Sequence, residues 1–129
     1  MNDPDSGMVL RAHAGRLMVH EIASEVAAEV IRTVRTFPGP ERFTLGDQLA
    51  RAAVSVPANI AEACGRGTIT EFRRFLLYAR GSAQEVLSLL RVARRSNLGR
   101  HEVVVSLENR IALVLKMLVR LYNKPPPDR

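Results

Sequence analysis

Hydrophobic residues recur along most of this chain at steps of three and four residues, which places them on one face of an α-helix. Four stretches carry the pattern, and each ends at a proline or glycine segment, because these residues interrupt helical geometry. No stretch shows the strict alternation of a β-strand. The predicted helices run from Leu17 to Thr36, from Thr44 to Cys64, from Ile69 to Ser96 and from Arg100 to Tyr122.

Several residues at or inside these helices qualify the pattern. Thr44 is expected to act as the N-cap of the second helix and either Thr68 or Thr70 as that of the third, because a threonine hydroxyl can accept the first free backbone N–H groups. Pro57 interrupts one hydrogen bond of the second helix, but the apolar pattern continues in phase, so a bend rather than a break is expected. Gly81 lies in the middle of the third helix. The missing side chain predicts that another helix approaches closely there.

The loops between the helices are short, which favours antiparallel neighbours. The predicted fold is therefore all-α, an antiparallel up-down-up-down four-helix bundle. Residues 1–16 are expected to form a flexible N-terminal arm, residues 17–123 the bundle, and residues 124–129 a proline-rich tail.

Composition narrows the possible classes of function. With 47% hydrophobic residues, 5% aromatics and one cysteine in 129 residues, the chain fits a globular protein of a reducing compartment, without internal disulfides. Because it shows neither a signal peptide nor an apolar run of roughly twenty residues, a cytoplasmic location is expected. His13, His20 and His101 lack the Glu-x-x-His spacing of bundle metal sites, and Cys64 falls on an apolar face. No catalytic residues, metal, cofactor or small-molecule substrate are therefore expected.

Two predicted helices also carry polar residues at helical spacing, here called the polar stripe. Antiparallel pairing would bring Arg51 opposite Glu85, and a connected network of hydrogen bonds would follow. Such a network can fix helix register or a subunit contact, or it can line a polar pocket for a ligand. The polar stripe consists of Gln48, Arg51, Ser55, Asn59, Glu62, Tyr78, Ser82 and Glu85.

A second group of polar residues, the basic strip, consists of Arg73, Arg80, Arg91 and Arg95. On an ideal helix these arginines lie within a band about 60° wide and roughly 33 Å long. This is suitable geometry for following the phosphates of a nucleic acid. The formal net charge of +6 is consistent with such a partner. A solvated basic face, or arginine enrichment that follows genomic base composition, would give the same pattern.

Several short motifs of the central helices resemble those of a known family, the four-helix-bundle proteins encoded within intervening sequences of bacterial 23S ribosomal RNA. The similarity spans about residues 17–122 and departs at Ala63, where the family usually has glycine. The motifs are Phe37-Pro38, Glu41-Arg42-Phe43, Leu45, the run from Gln48 to Glu62 that contains Asn59-Ile60-Ala61-Glu62, Glu71-Phe72, Phe75-Leu76, and Ala79-Arg80-Gly81-Ser82 followed by Glu85.

The resemblance implies a bundle that assembles into a ring, typically a homopentamer. It also implies similarity to the accessory proteins of diversity-generating retroelements, which bind nucleic acid through basic surfaces. We therefore expect a non-enzymatic homo-oligomer that binds the backbone of structured RNA or DNA through the basic strip. The alternative is a structural or adaptor oligomer whose partner is another protein, with an apolar patch around Leu77, Leu87 and Val105.

Overall fold

The computed structural model describes residues 17–125. The predicted arm of residues 1–16 and the last four residues of the predicted tail lie outside this range. Within it, all regular structure is helical, and the four predicted helices are confirmed to within about two residues at most of their ends. They are α1 (Met18–Val34), α2 (Asp47–Cys64), α3 (Ile69–Arg95) and α4 (His101–Asn123).

The start of α2 differs from the prediction. A helical turn at Gly39–Glu41 and a π-helical segment at Arg42–Gly46 lead into α2 without interruption. Thr44 is therefore not an N-cap, and its hydroxyl instead donates to the carbonyl of Pro40 at 3.0 Å. Thr68 is confirmed as the N-cap of α3, since its hydroxyl accepts from the backbone N–H of Glu71 at 3.1 Å.

Contacts between the helices show the up-down-up-down arrangement directly. The first turns of α3 contact the last turn of α4 through Arg73 and Tyr122. The last turn of α3 contacts the first half of α4 through Arg94 and Glu108. The helices α3 and α4 are therefore antiparallel. Each helix packs against its neighbours in sequence, and α1 also packs on α4, which closes the bundle.

The core is mainly aliphatic, as the low aromatic content requires, and it also contains the rings of Phe37 and Phe72. Cys64 is buried within it, in agreement with its position on the apolar face of α2. Helix α2 continues through Pro57 without a break. The largest fully buried side chains are Phe37, Leu49, Ile60, Leu76, Leu90, Leu107, Ile111, Leu118, Val19, Val26, Val30 and Val56.

The prediction for Gly81 is wrong within the subunit. This glycine is exposed, and a Cβ atom placed on it would meet no atom within 4 Å. No helix of the described residues approaches it. Its missing side chain therefore has no explanation in the packing of this bundle.

Candidate nucleic-acid interface

The polar stripe does not form the connected network that its spacing predicted. Arg51 makes no ion pair with Glu85, whose partner is Gln48, with its amide Nε2 3.0 Å from a carboxylate oxygen. The antiparallel pairing of α2 and α3 is thus correct, but the register differs by one helical turn, because residue 48 rather than residue 51 lies opposite Glu85.

The other members of the stripe are satisfied locally. Ser55 donates to the carbonyl of Ala52 at 2.8 Å, and Asn59 donates to the carbonyl of Ser55 at 2.8 Å. Short polar side chains commonly bond the preceding turn of their own helix in this way, which removes them from contacts between helices. Along the stripe, Arg51 and Ser55 border a shallow depression whose surface is almost wholly apolar, so the structure does not support a polar pocket there.

The remaining stripe residues are also separated from one another. Glu62 pairs with Arg66 one turn later in the chain. Tyr78 packs edge-on against the ring of Phe75, with centroids 5.3 Å apart. Ser82 is half-buried and makes no hydrogen bond with another stripe residue in the described part of the chain.

Three of the four arginines of the basic strip are available to a partner. Arg80, Arg91 and Arg95 are exposed on α3, and none pairs with a carboxylate of residues 17–125. We call these three residues the arginine row. On an ideal helix the row spans about 22 Å. Three free guanidinium groups along one helix form a site that attracts anions.

Arg73 is the exception. It is half-buried, its Nε donates to the backbone carbonyl of Tyr122 at 2.9 Å, and its guanidinium lies 5.3 Å from the centre of the Tyr122 ring. The hydrogen bond satisfies a free carbonyl in the last turn of α4, where a cation is favoured by the helix dipole. Arg73 therefore joins α3 to α4 rather than standing free for a phosphate.

Other arginines near the row are neutralised by carboxylates. Arg94 pairs with Glu108 at 2.7 Å across α3 and α4, and Arg110 pairs with Glu29 across α4 and α1. Arg74 pairs with Glu71 at 2.8 Å, and this hydrogen bond raises the pKa of Arg74. These three arginines have carboxylate partners, whereas the residues of the arginine row have none among residues 17–125.

Sequence reasoning missed a groove that borders the row. A depression of about 160 Å³ lies between α3 and α4, lined by Leu77, Arg80, Val119, Tyr122 and Asn123 together with deeper leucines. The groove could have been predicted from the antiparallel pairing of the last two helices, because this pairing brings the end of α4 beside the start of α3. Tyr122 could have been placed near Arg73 on that basis.

The apolar patch proposed for a protein partner is present only in part. Leu77 is 44% exposed, whereas Leu87 and Val105 are half-buried. Exposed apolar side chains occur instead on all four helices, and they include Met18 on α1, Val54 on α2, Val92 on α3 and Leu113 on α4. Of the three predicted residues, only Leu77 is therefore open to an apolar contact with a partner.

Among residues 17–125, no cluster of three or more histidine, cysteine or acidic side chains is placed to hold a metal ion. None of the helices in this range combines the length and apolar character that crossing a bilayer requires.

Comparison with known proteins agrees with the architecture. A crystal structure of an S23 ribosomal protein family member of unknown function, from Bacteroides thetaiotaomicron, superposes with a TM-score of 0.77 at 22% identity. The match covers 83% of this chain and all of that one. No curated protein matches the chain. Residues 15–120 match the family described as 23S rRNA-intervening sequence protein, and the chain therefore belongs to that family.

Proposed function

We propose that this protein is a non-enzymatic, cytoplasmic homo-oligomer that binds the phosphate backbone of structured RNA or DNA. The observation that carries the proposal is the arginine row, three exposed guanidinium groups that no described carboxylate neutralises. Surface arginines often pair with nearby acids. Here Arg74, Arg94 and Arg110 are paired, while the row is left free.

The surroundings of the row favour a polyanion over a protein partner with a single acidic side chain. Between Phe72 and Arg95, α3 contains one carboxylate, Glu85, and it lies on the side of α3 that contacts α2. The C-terminal part of α4, residues 111–123, has two cationic residues and no acidic one, and Glu108 is already paired with Arg94. Positive potential therefore extends along the row, as phosphate binding requires.

Replacing the three arginines of the row by glutamine tests the proposal. Each phosphate contact contributes roughly 0.7–0.9 to the slope of log Kd against log salt concentration. The triple variant should therefore lose about 2–3 from that slope, and its affinity for RNA and DNA duplexes at low salt should fall. Fluorescence anisotropy with labelled duplexes, at several salt concentrations, measures both quantities.

A matched control changes the same amount of charge elsewhere. Arg32, Arg35 and Arg42 are exposed residues outside α3 and α4. Their triple replacement by glutamine should leave most of the slope in place. Equal losses in the two triple variants would show that net charge, rather than the row, governs binding. Absence of binding at low salt would contradict the proposal itself.

Self-association is supported by apolar residues on outer faces of the bundle. A shallow, mainly apolar depression lies along α1 and α2, and its lining consists of Ile31, Ala50, Arg51, Val54, Ser55 and Ala58. The number five comes from the resemblance to the intervening-sequence proteins. Light scattering on protein treated with nuclease and high salt should give five times the subunit mass of 14.3 kDa. A mass of one subunit under these conditions would contradict the assembly.

The alternative remains a structural or adaptor oligomer that binds another protein. The exposed Val92 and Leu113 favour it, because apolar side chains on the outside of a bundle often contact partners. This alternative predicts that the row variant and the control variant behave alike towards nucleic acid. The anisotropy measurements therefore distinguish the two functions.

A further inference from the structure

The groove between α3 and α4 has a composition that phosphate binding does not require. Leu77 and Val119 are 44% and 43% exposed and form apolar walls open to solvent. Apolar surface of this kind is costly in water and favours an occupant with an apolar face. At about 160 Å³ the groove is below the 300–1,000 Å³ typical of pockets for larger organic ligands. It suits a single planar ring.

The polar groups around the groove indicate what kind of ring. Arg80 belongs both to the lining of the groove and to the arginine row, and it is free of described carboxylates. A phosphate bound by Arg80 would hold its own nucleotide beside the groove. The Asn123 amide, which also lines the groove, offers both a donor and an acceptor. Together these groups match the phosphate and the polar edge of a nucleotide.

Tyr122 supplies an aromatic surface that is already held in position. The guanidinium of Arg73 lies 5.3 Å from the centre of its ring, and Arg73 Nε bonds the backbone carbonyl of the same residue. Fixing the ring before binding reduces the entropy lost on binding. A tyrosine ring lined up with apolar side chains is the usual platform for an unpaired base.

We infer that the α3–α4 groove binds one unpaired nucleobase, with its phosphate on Arg80 and its ring against Tyr122, Leu77 and Val119. This inference rests on the proposed function and adds a substrate class to it. The protein would prefer RNA or DNA with a bulged or single-stranded nucleotide over a fully paired duplex. The arginine row would bind phosphates of the flanking nucleic-acid backbone, while the groove would accept only a base that is not paired.

The experiment compares two RNA probes that have the same number of phosphates, one fully paired and one with a single bulged base. The unsubstituted protein should bind the bulged probe more tightly. Base stacking on an aromatic side chain contributes about 5- to 150-fold in affinity. Tyr122→Leu and, separately, Leu77→Gln should reduce the preference towards unity and leave the affinity for the paired probe unchanged.

Leu77→Gln keeps the test valid if Tyr122→Leu affects folding, because Leu77 is 44% exposed and the substitution places no polar group in the core. Val92→Gln is the matched control, since Val92 is 46% exposed on the same helix but outside the groove. It should keep the full preference for the bulged probe. Circular dichroism melting of each variant verifies that the bundle is intact.

The possible outcomes distinguish a failure of the base site from a failure of the proposed function. Equal affinity for the two probes, with binding still lost in the triple variant of the row, would overturn the base site and leave the proposed function standing. Absence of binding to both probes at low salt would overturn both. A change in oligomeric mass for Leu77→Gln, with the preference unchanged, would show that another subunit occupies the groove and would overturn the base site.

Discussion

Leu90→Ala is expected to lower the free energy of unfolding by about 2–5 kcal/mol. Leu90 is 0% exposed on α3, so the substitution removes buried methyl groups and leaves a cavity that the surrounding helices fill only in part. Small domains are stabilised by about 5–15 kcal/mol in total, so a large share of the stability would be lost. Urea unfolding monitored by circular dichroism measures the change.

Leu113→Ala on α4 is the control, because Leu113 is 45% exposed in the isolated subunit. The expected change is within about 0.5 kcal/mol, since surface substitutions have small effects and alanine is a good helix former. A loss comparable to that of Leu90→Ala, growing with protein concentration, would show that Leu113 is buried between subunits. A small loss for Leu90→Ala would contradict the packing of α3 in the bundle.

The helices were predictable because burial imposes a period on the sequence. Phe72, Leu76 and Leu90 all lie on the face of α3 that the apolar spacing selects, and all are buried. That periodicity depends on local geometry alone, so no knowledge of the neighbouring helices was needed. The order of the bundle followed from the short loops in the same way.

The contacts between helices were harder to predict, because they depend on register to within one turn. One turn of displacement places Gln48 rather than Arg51 opposite Glu85. A helical polar residue can also bond its own preceding turn, as Asn59 does, and spacing does not distinguish this from a contact across helices. The prediction of a connected network was therefore wrong, although the residues of the polar stripe lie on adjacent helices.

The sequence predicted the arginines of the candidate interface but not the aromatic and apolar residues beside them. The spacing of α3 identified Arg80, Arg91 and Arg95, which the structure leaves exposed. It also included Arg73, whose partner Tyr122 lies 49 residues further along the chain. Only the folded hairpin shows that Arg73 is engaged and that an aromatic ring lines a groove together with Arg80. A contact between helices therefore gives Arg73 a structural role and leaves the other three arginines available to a partner.

The same substitution at two helical glycines is expected to have opposite effects. At Gly46, a Cβ atom would lie 2.6 Å from Cγ1 of Val34, which is buried and β-branched and so cannot rotate away. Overpacking costs typically 1–3 kcal/mol and exceeds the gain of about 1 kcal/mol in helix propensity. Gly46→Ala should therefore lower the free energy of unfolding by up to about 2 kcal/mol.

Gly81→Ala meets no such obstacle, because nothing lies within 4 Å of the added Cβ. The gain in helix propensity should then stabilise the subunit by up to about 1 kcal/mol. Urea unfolding of both variants at low protein concentration measures the difference, and a destabilised Gly81→Ala subunit would contradict the open space around residue 81. If that variant is more stable but its assembled mass by light scattering falls, the bare backbone at Gly81 is a contact between subunits. The close approach that the glycine indicates would then be intermolecular.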